Sequence, residues 1–222
     1  MSDLLEKLTV CVERGKVNKT SPYPPDLKDQ DGADELTTAG IEQGLSPDDI
    51  LQKALVVGMS IIGKKFSEGK AFVPEMLMAA KAMKAAMVHL QPFFKSGAVK
   101  QKGTVVIGTV QGDLHDIGKN LVAMMVEGAG WKVVDLGVDV GFDKIKTALD
   151  ENPGSIVGLS ALLTTTMVNM KGIVDQVKAI DDNSKVMVGG APLTQDYCNE
   201  IGADFYSPDP QGAIEYLNNI AS

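Results

Sequence analysis

The chain is 222 residues long, room for one large domain or two small ones at ~100–200 residues each. With 44% hydrophobic and 23% charged residues it has the composition of an ordinary soluble globular protein able to bury a normal core. A net charge of −8 and a pI near 4.8 argue against a general affinity for nucleic acid, which needs a basic face.

Chain order starts with an N-terminus, Met1-Ser2-Asp3-Leu4-Leu5-Glu6, that lacks the basic and apolar regions of a signal peptide. Residues 2–14 carry Leu4, Leu5, Leu8 and Val12, an apolar stripe at helical spacing that Gly15 can end. Residues 18–25 hold three prolines, which lack the amide hydrogen, so they read as an extended connector. A shorter helix is expected over 33–43, closed by Gly44. Ser46 then reads as an N-cap, with Pro47 at the first helical position and Asp48 and Asp49 at the positive helix end. That helix, 47–66, should bury Leu51, Leu55, Met59 and Ile62. Its apolar part, 54–63, is far shorter than the ~18–20 residues a membrane span needs. Gly69 breaks the chain, and Pro74 can open a last helix running to about Phe93. About four helices make a bundle-like unit.

Met59, Met76, Met78, Met83 and Met87 concentrate in the last two of these helices. They read either as adaptable core filler or as a compliant surface for a large flat ligand or a moving partner. His89, mid-helix with no matching ligand nearby, reads as structural. The two cysteines, Cys11 and Cys198, form no CxxC pattern, which argues against a disulfide framework or zinc site and for a reducing cytoplasm.

After Lys100 the period changes. Strand-length apolar runs at 104–110, 131–136, 155–160, 185–188 and, weakly, 203–206 alternate with helical segments at 117–128, 142–150, 165–180, 194–200 and 211–220. The expected class is α/β: an N-terminal helical bundle cap followed by a flavodoxin-like, Rossmann-like doubly wound parallel sheet of about five strands, in the order 2-1-3-4-5. The expected domains are 1–97 and 102–222, with the connector at 18–25 and the linker at 97–103 as candidate hinges.

That topology brings three loops to one sheet edge. The first is Gly112-Asp113-Leu114-His115-Asp116-Ile117-Gly118, which on its own is equally a turn at Gly112 with Asp116 as N-cap and His115 merely exposed. The second follows Ser160, with Leu162 and the hydroxyl run Thr164-Thr165-Thr166, and the third is Gly189-Gly190. Neither GxGxxG nor GxxxxGK[ST] occurs, which disfavours nucleotide phosphates, and no lysine follows the fifth strand as a phosphorelay receiver would require. A lone histidine with an aspartate two residues before it suits a metal ligand whose distal ring hydrogen is held by a carboxylate. One histidine cannot build a tetrahedral protein-only site, so the metal would arrive caged in a cofactor.

Asp113-x-His115-x-x-Gly118, then Ser160-x-Leu162, then Gly189-Gly190, resembles the cobalamin-binding fingerprint in order and spacing. The helical half is similar to the cap module that precedes this fold in methionine synthase and in corrinoid proteins of methyltransferase systems, so the resemblance spans nearly the whole chain. It implies a cobalamin or related corrinoid cofactor contacted by Gly112, Asp113, Leu114, His115, Asp116, Ile117, Gly118 and Leu162. It makes His115 the lower axial cobalt ligand, with Asp113 bonded to its other nitrogen and Thr166 standing where methionine synthase has a serine. Ser160, Thr164, Gly189 and Gly190 would line the slot for the nucleotide tail. Phe66 and Val73 match the cap positions over the cobalt's upper face, with Val73 in place of the family's leucine. Gln52 falls where methionine synthase has a cofactor-contacting glutamate.

By the same resemblance the chain is a corrinoid methyl carrier, cycling between cobalt(I) and methyl-cobalt(III) to move a methyl group from a small methylated donor to tetrahydrofolate or a thiol. Its implied partners are a donor-specific methyltransferase, an acceptor methyltransferase and a reductive activator of the corrinoid. A cobalamin-dependent sensor, the small subunit of a carbon-skeleton mutase and a plain flavodoxin-like binding protein are the competing readings. The short, acidic N-terminus disfavours the first and the helical half the second.

Overall fold

The computed structural model describes residues 2–221, apart from the side chains of Ser2 and Lys95. The chain divides into two compact units: residues up to Gln101 together with Gly128–Gly130, and Lys102–Glu127 together with Trp131 onward.

The first unit is helical: α1 (Ser2–Glu13), α2 (Ala33–Glu42), α3 (Pro47–Ile50), α4 (Val56–Ser67) and α5 (Val73–Lys95). Leu8 and Val12 of α1 are fully buried, and Leu4 and Leu5 beside them half-buried. Helix α1 packs tightly on α4 because residue 58 is glycine: a Cβ there would stand 2.7 Å from the Thr9 carbonyl oxygen. Where one regular helix over 47–66 is expected, Leu51–Leu55 form a π-helical turn between α3 and α4. The buried stripe Leu51, Leu55, Met59, Ile62 is as expected. The wider turn loosens the ladder of backbone bonds, and Thr9 Oγ1 donates to the Ala54 carbonyl at 3.3 Å from the neighbouring helix.

Ser46 occupies the N-cap position in extended conformation, but its side chain makes no capping bond. Capping acids act elsewhere: Glu35 accepts the Gly32 amide at 2.9 Å and Glu75 the Phe72 amide at 2.8 Å. His89 Nε2 meets Asp34 Oδ1 at 2.5 Å, bolting α5 to α2, which is a structural role. Met59, Met76 and Met83 are buried in this core, while Met78 and Met87 are half-buried.

The proline-rich connector is not a hinge between units. It lies inside the first unit, where the fully buried Lys16 donates to the Ser21 carbonyl at 2.8 Å. The amides of Ala33 and Asp34 bond back to the carbonyls of Lys16 and Val17, each at 3.0 Å. A short 3₁₀ turn, Pro25–Leu27, follows, with Arg14 paired to Asp26 in a two-point fork.

The second unit alternates β1 (Thr104–Thr109), α6 (Ile117–Gly128), β2 (Lys132–Asp135), α7 (Phe142–Glu151), β3 (Ile156–Ser160), α8 (Thr164–Met167), α9 (Asn169–Ile180), β4 (Val186–Gly189), α10 (Gln195–Glu200), β5 (Phe205–Tyr206) and α11 (Pro210–Ile220). The sheet is parallel with strand order β2-β1-β3-β4-β5, the doubly wound order expected from the alternation. The central strands β1, β3 and β4 are almost wholly buried, as parallel strands covered on both faces must be. Their core includes Val157, Leu159, Val186 and Val188 against Ile173, Val174 and Val177 of α9. The register sets Thr109 opposite Ser160, and Ser160 opposite Gly189, so the ends of three strands finish level.

Two boundaries differ from expectation. Val110 leaves β1 and pairs instead with Val140, beyond β2. The helix expected over 165–180 is two helices, α8 and α9, because the third hydroxyl of the β-branched threonine run turns inward to a buried partner. Among the described residues no helix is long and apolar enough to cross a membrane.

Candidate functional site

The site is built on the turn that follows β1. Gly112 has φ +83, the left-handed conformation that glycine adopts freely, and it turns the chain so that Asp113 points back into the fold. The Asp113 side chain is fully buried. Its Oδ1 accepts the His115 amide at 3.0 Å and sits 2.8 Å from the ring nitrogen Nδ1, while Oδ2 accepts the Leu162 amide at 2.8 Å and the Thr166 hydroxyl at 2.6 Å. Four donors thus fill the carboxylate. Burial alone would push its pKa up, but the bonds from Thr166, the His115 and Leu162 amides and the His115 ring outweigh that and hold it well below the usual carboxylate range.

A charged carboxylate at Nδ1 keeps the ring hydrogen on that nitrogen and leaves the lone pair on Nε2. The His115 side chain is 52% exposed, with Nε2 unpartnered among the described residues. The backbone is fixed as well: Thr109, fully buried in β1, donates its hydroxyl to the His115 carbonyl at 2.9 Å. The result is a presented nitrogen donor with its orientation locked from behind.

The surroundings suit a large apolar disc. Leu114 is 71% exposed, Ile117 70% and Leu162 45%, an unusual apolar display beside a polar turn. Asp116, at the start of α6, accepts from the Asn120 amide nitrogen of the side chain at 2.9 Å, and Gly118 has open space where a side chain would stand. Ser160 ends β3 half-buried, and Thr164 opens α8 exposed. Gly189 is the open member of its pair, since a Cβ there would meet nothing closer than the Ser207 carbonyl at 3.7 Å. Gly190, at φ +132, leaves room for this chain's own Ala161, whose carbonyl oxygen would be 1.8 Å from a Cβ. Near the same sheet edge, in the first turn of α11, Gln211 Oε1 is a buried acceptor with no partner.

These features fit a metal-centred tetrapyrrole-like ring. Among the described residues no three His, Cys, Asp or Glu side chains gather to hold a metal by themselves. A single imidazole donor suits a metal whose other ligands come with its own ring, and Leu114, Ile117 and Leu162 are exposed on the same loops.

In the first unit, Phe66 lies in the last turn of α4 and Val73 opens α5, both half-buried, and Gln52 is a half-buried member of the π-helical turn. Sequence reasoning missed Phe72 between them, 67% exposed, although an aromatic beside two singled-out positions was the signal for it. It also missed Thr109, Lys119 and Asp139. Lys119 is almost fully buried, its ammonium 2.6 Å from the Asp135 carboxylate at the end of β2. Asp139 bonds to the turn that carries Asp113.

Comparison with known proteins agrees with this geometry. Residues 103–214 match the family model of the B12 binding domain, and residues 29–91 match a second B12 binding domain model. Trimethylamine corrinoid protein 1 of Methanosarcina acetivorans is 43% identical over 196 residues, covering 86% of this chain and 91% of that protein. A corrinoid protein of Desulfitobacterium hafniense is 38% identical over 197 residues, covering 86% of this chain and 91% of that one. Among solved structures, the methanol:cobalamin methyltransferase complex MtaBC from Methanosarcina barkeri superposes with a TM-score of 0.81 at 29% identity, covering all of this chain and 80% of that one. A cobalamin-binding protein from Desulfitobacterium hafniense superposes at 0.71 and 29% identity, covering 96% and 97%. The chain belongs to the family of B12-binding corrinoid proteins, and its cofactor is a corrinoid.

Proposed function

We propose that the protein is the corrinoid methyl carrier of a multi-component methyltransferase, and that His115 Nε2 is the lower axial ligand of its cobalt. The reading is carried by one observation: a single imidazole whose Nδ1 is held by a fully buried carboxylate while Nε2 faces outward among exposed leucine and isoleucine. Relatives named trimethylamine corrinoid proteins and a structural neighbour named a methanol:cobalamin methyltransferase complex support it.

When bound, the corrinoid supplies a cobalt that accepts a methyl group from one molecule and yields it to another. The chain's residues do the rest. Asp113 fixes the His115 tautomer, so the ring offers its lone pair at Nε2 rather than a hydrogen. With a proton at Nε2 the imidazole would be charged, and the same carboxylate, kept in place by Thr166, would stabilise it. Leu114, Ile117 and Leu162, exposed on these loops, would exclude water where the corrinoid is held.

Leu162, Gly112, Asp116 and Gly118 complete the contact loop, and Ser160, Thr164, Gly189 and Gly190 form the walls for the nucleotide tail. We propose residues 1–97 as the helical B12-binding domain, with Phe66 and Val73 its candidate cofactor contacts, and residues 102–222 as the corrinoid-holding domain. The partners are a donor-specific methyltransferase, an acceptor methyltransferase and a reductive activator, in the cytoplasm.

The test is reconstitution of the purified chain with cobalamin, followed by electron paramagnetic resonance of the cobalt(II) form. Nitrogen splitting that is present in wild type and lost in His115→Ala, with pigment still bound, is the expected result. Splitting that survives the substitution overturns the assignment.

A further inference from the structure

We propose that Asp139 is a positioning residue for the His115 imidazole, acting through the backbone of the turn that carries Asp113; this rests on His115 being the lower ligand.

Leu162 and Thr166 hold one oxygen of the Asp113 carboxylate from beyond β3, and the aim of the other at the His115 ring depends on how the main chain of Asp113 is held. Within the turn, the Asp113 amide bonds to the Val110 carbonyl at 3.1 Å. Val110 is itself held to β3, its amide donating to the Ser160 carbonyl at 3.0 Å, and from Gln111 to Asp113 three main-chain groups reach outside the turn. The Gly112 amide donates to Asp139 Oδ1 at 2.8 Å, the Asp113 carbonyl accepts the Asp139 amide at 3.1 Å, and the Gln111 carbonyl accepts from Asn169 Nδ2 at 2.8 Å. Two of the three ties end on one residue.

Asp139 can make both because of its backbone. Its φ is +53, in the left-handed region that L residues seldom adopt and that aspartate and asparagine tolerate best. In that conformation its amide and its carboxylate address the same neighbouring loop. A glycine would adopt the bend more cheaply, but it has no oxygen to give the Gly112 amide. The segment around Asp139 is itself anchored to the end of β1. The Thr109 amide donates to the Gly137 carbonyl at 3.0 Å, and the Val140 amide donates to the Thr109 carbonyl at 2.9 Å. Thr109 in turn holds the His115 carbonyl. The loop after β2 therefore ties both ends of the turn, through the backbones of Gly137 and Val140 at β1 and through Asp139 at Gly112 and Asp113.

The experiment compares full-length wild type, Asp139→Gly and Asp139→Asn. Asp139→Gly keeps the left-handed backbone and the amide bond to Asp113 while removing the carboxylate; Asp139→Asn keeps an acceptor oxygen. Nitrogen NMR of the cofactor-free protein, at a pH where the ring is neutral, reads the share of His115 carrying its hydrogen on Nδ1. Electron paramagnetic resonance of the cobalamin-loaded cobalt(II) form reads the share with nitrogen bound. In Asp139→Gly the ratio of Nδ1–H to Nε2–H tautomer and the ratio of nitrogen-bound to nitrogen-free cobalt(II) should each fall by roughly fivefold, the shift expected for one lost hydrogen bond. Asp139→Asn should restore both, and the melting temperature should stay within a few degrees of wild type in all three.

A wild-type tautomer balance in Asp139→Gly, or an Asp139→Asn protein that behaves like it, overturns the proposal. Absence of nitrogen splitting in wild type overturns the lower-ligand reading instead, and the tautomer balance of the cofactor-free protein then decides the role of Asp139 alone.

Discussion

The Thr166 hydroxyl donates to Asp113 Oδ2 over 2.6 Å, joining two buried side chains 53 residues apart in sequence. A serine keeps this hydroxyl, and a valine keeps only the shape. Thr166→Val leaves a buried carboxylate short of one donor, which costs about 1–3 kcal/mol of stability. We expect urea denaturation to show that loss for Thr166→Val and much less of it for Thr166→Ser. Nitrogen splitting of the cobalt(II) form should follow the same order.

The two glycines after β4 should separate folding from binding. At Gly190 a Cβ would collide with the Ala161 backbone, so Gly190→Ala should destabilise the fold by about 4 kcal/mol or more. At Gly189 a Cβ meets only ordinary contact, so Gly189→Ala should fold with a loss within about 1 kcal/mol. If the nucleotide tail passes there, the second variant loses cobalamin on gel filtration while its melting curve barely moves.

Asp204, just before β5, accepts from Lys178 Nζ at 2.8 Å, the Val186 amide at 2.8 Å and Lys185 Nζ at 3.1 Å. Burial raises its pKa, but the Lys178, Val186 and Lys185 bonds outweigh burial and hold it below the usual carboxylate value. A lowered folded pKa means stability that is fully present above the unfolded value, about 3.9, and lost as pH falls through the folded one. Asp204→Asn should therefore cost about 1–3 kcal/mol at neutral pH, mostly through Lys178 and Val186, since Lys185 is half exposed and screened. Denaturation curves of wild type and variant should converge below pH ~4.

The two cysteines should stay silent until the chain opens. Burial, against the opposing pull of Lys16, pushes the Cys11 thiol up to about 11, and burial raises Cys198 too. At pH 8 only about one Cys11 in a thousand is thiolate, the reactive form. Labelling by a thiol reagent across a denaturant series should track the unfolding transition at both positions.

Local signals carried the parts of this fold that could be read from the residues. The Asp113–His115 bond spans two residues, so its spacing is visible in the chain, and the strand order follows from the alternation of apolar runs. What stayed hidden depends on neighbours distant in sequence. Lys119 looks like a solvated first-turn lysine, and only the position of Asp135 on β2 makes its burial tolerable. Asp139 looks like an ordinary loop acid until its left-handed backbone sets it against Gly112. The π-helical turn at Leu51–Leu55 leaves the apolar stripe intact, so periodicity gives no sign of it. Gly190 is the reverse case: the glycine pair is visible in the sequence, while its packing against Ala161 appears only in the fold.

Thr109 on β1 stands level with Ser160 on β3, and Asp113 draws its donors from beyond both strands. A nascent chain released only as far as the imidazole holds a histidine with half its clamp, because the amide of Leu162 and the hydroxyl of Thr166 have yet to arrive. A slip of one residue between the two strands displaces those donors by about 3.3 Å and leaves the carboxylate only the two donors of its own turn. The order of the His115 ring is therefore a gauge of whether β1 and β3 have paired in register.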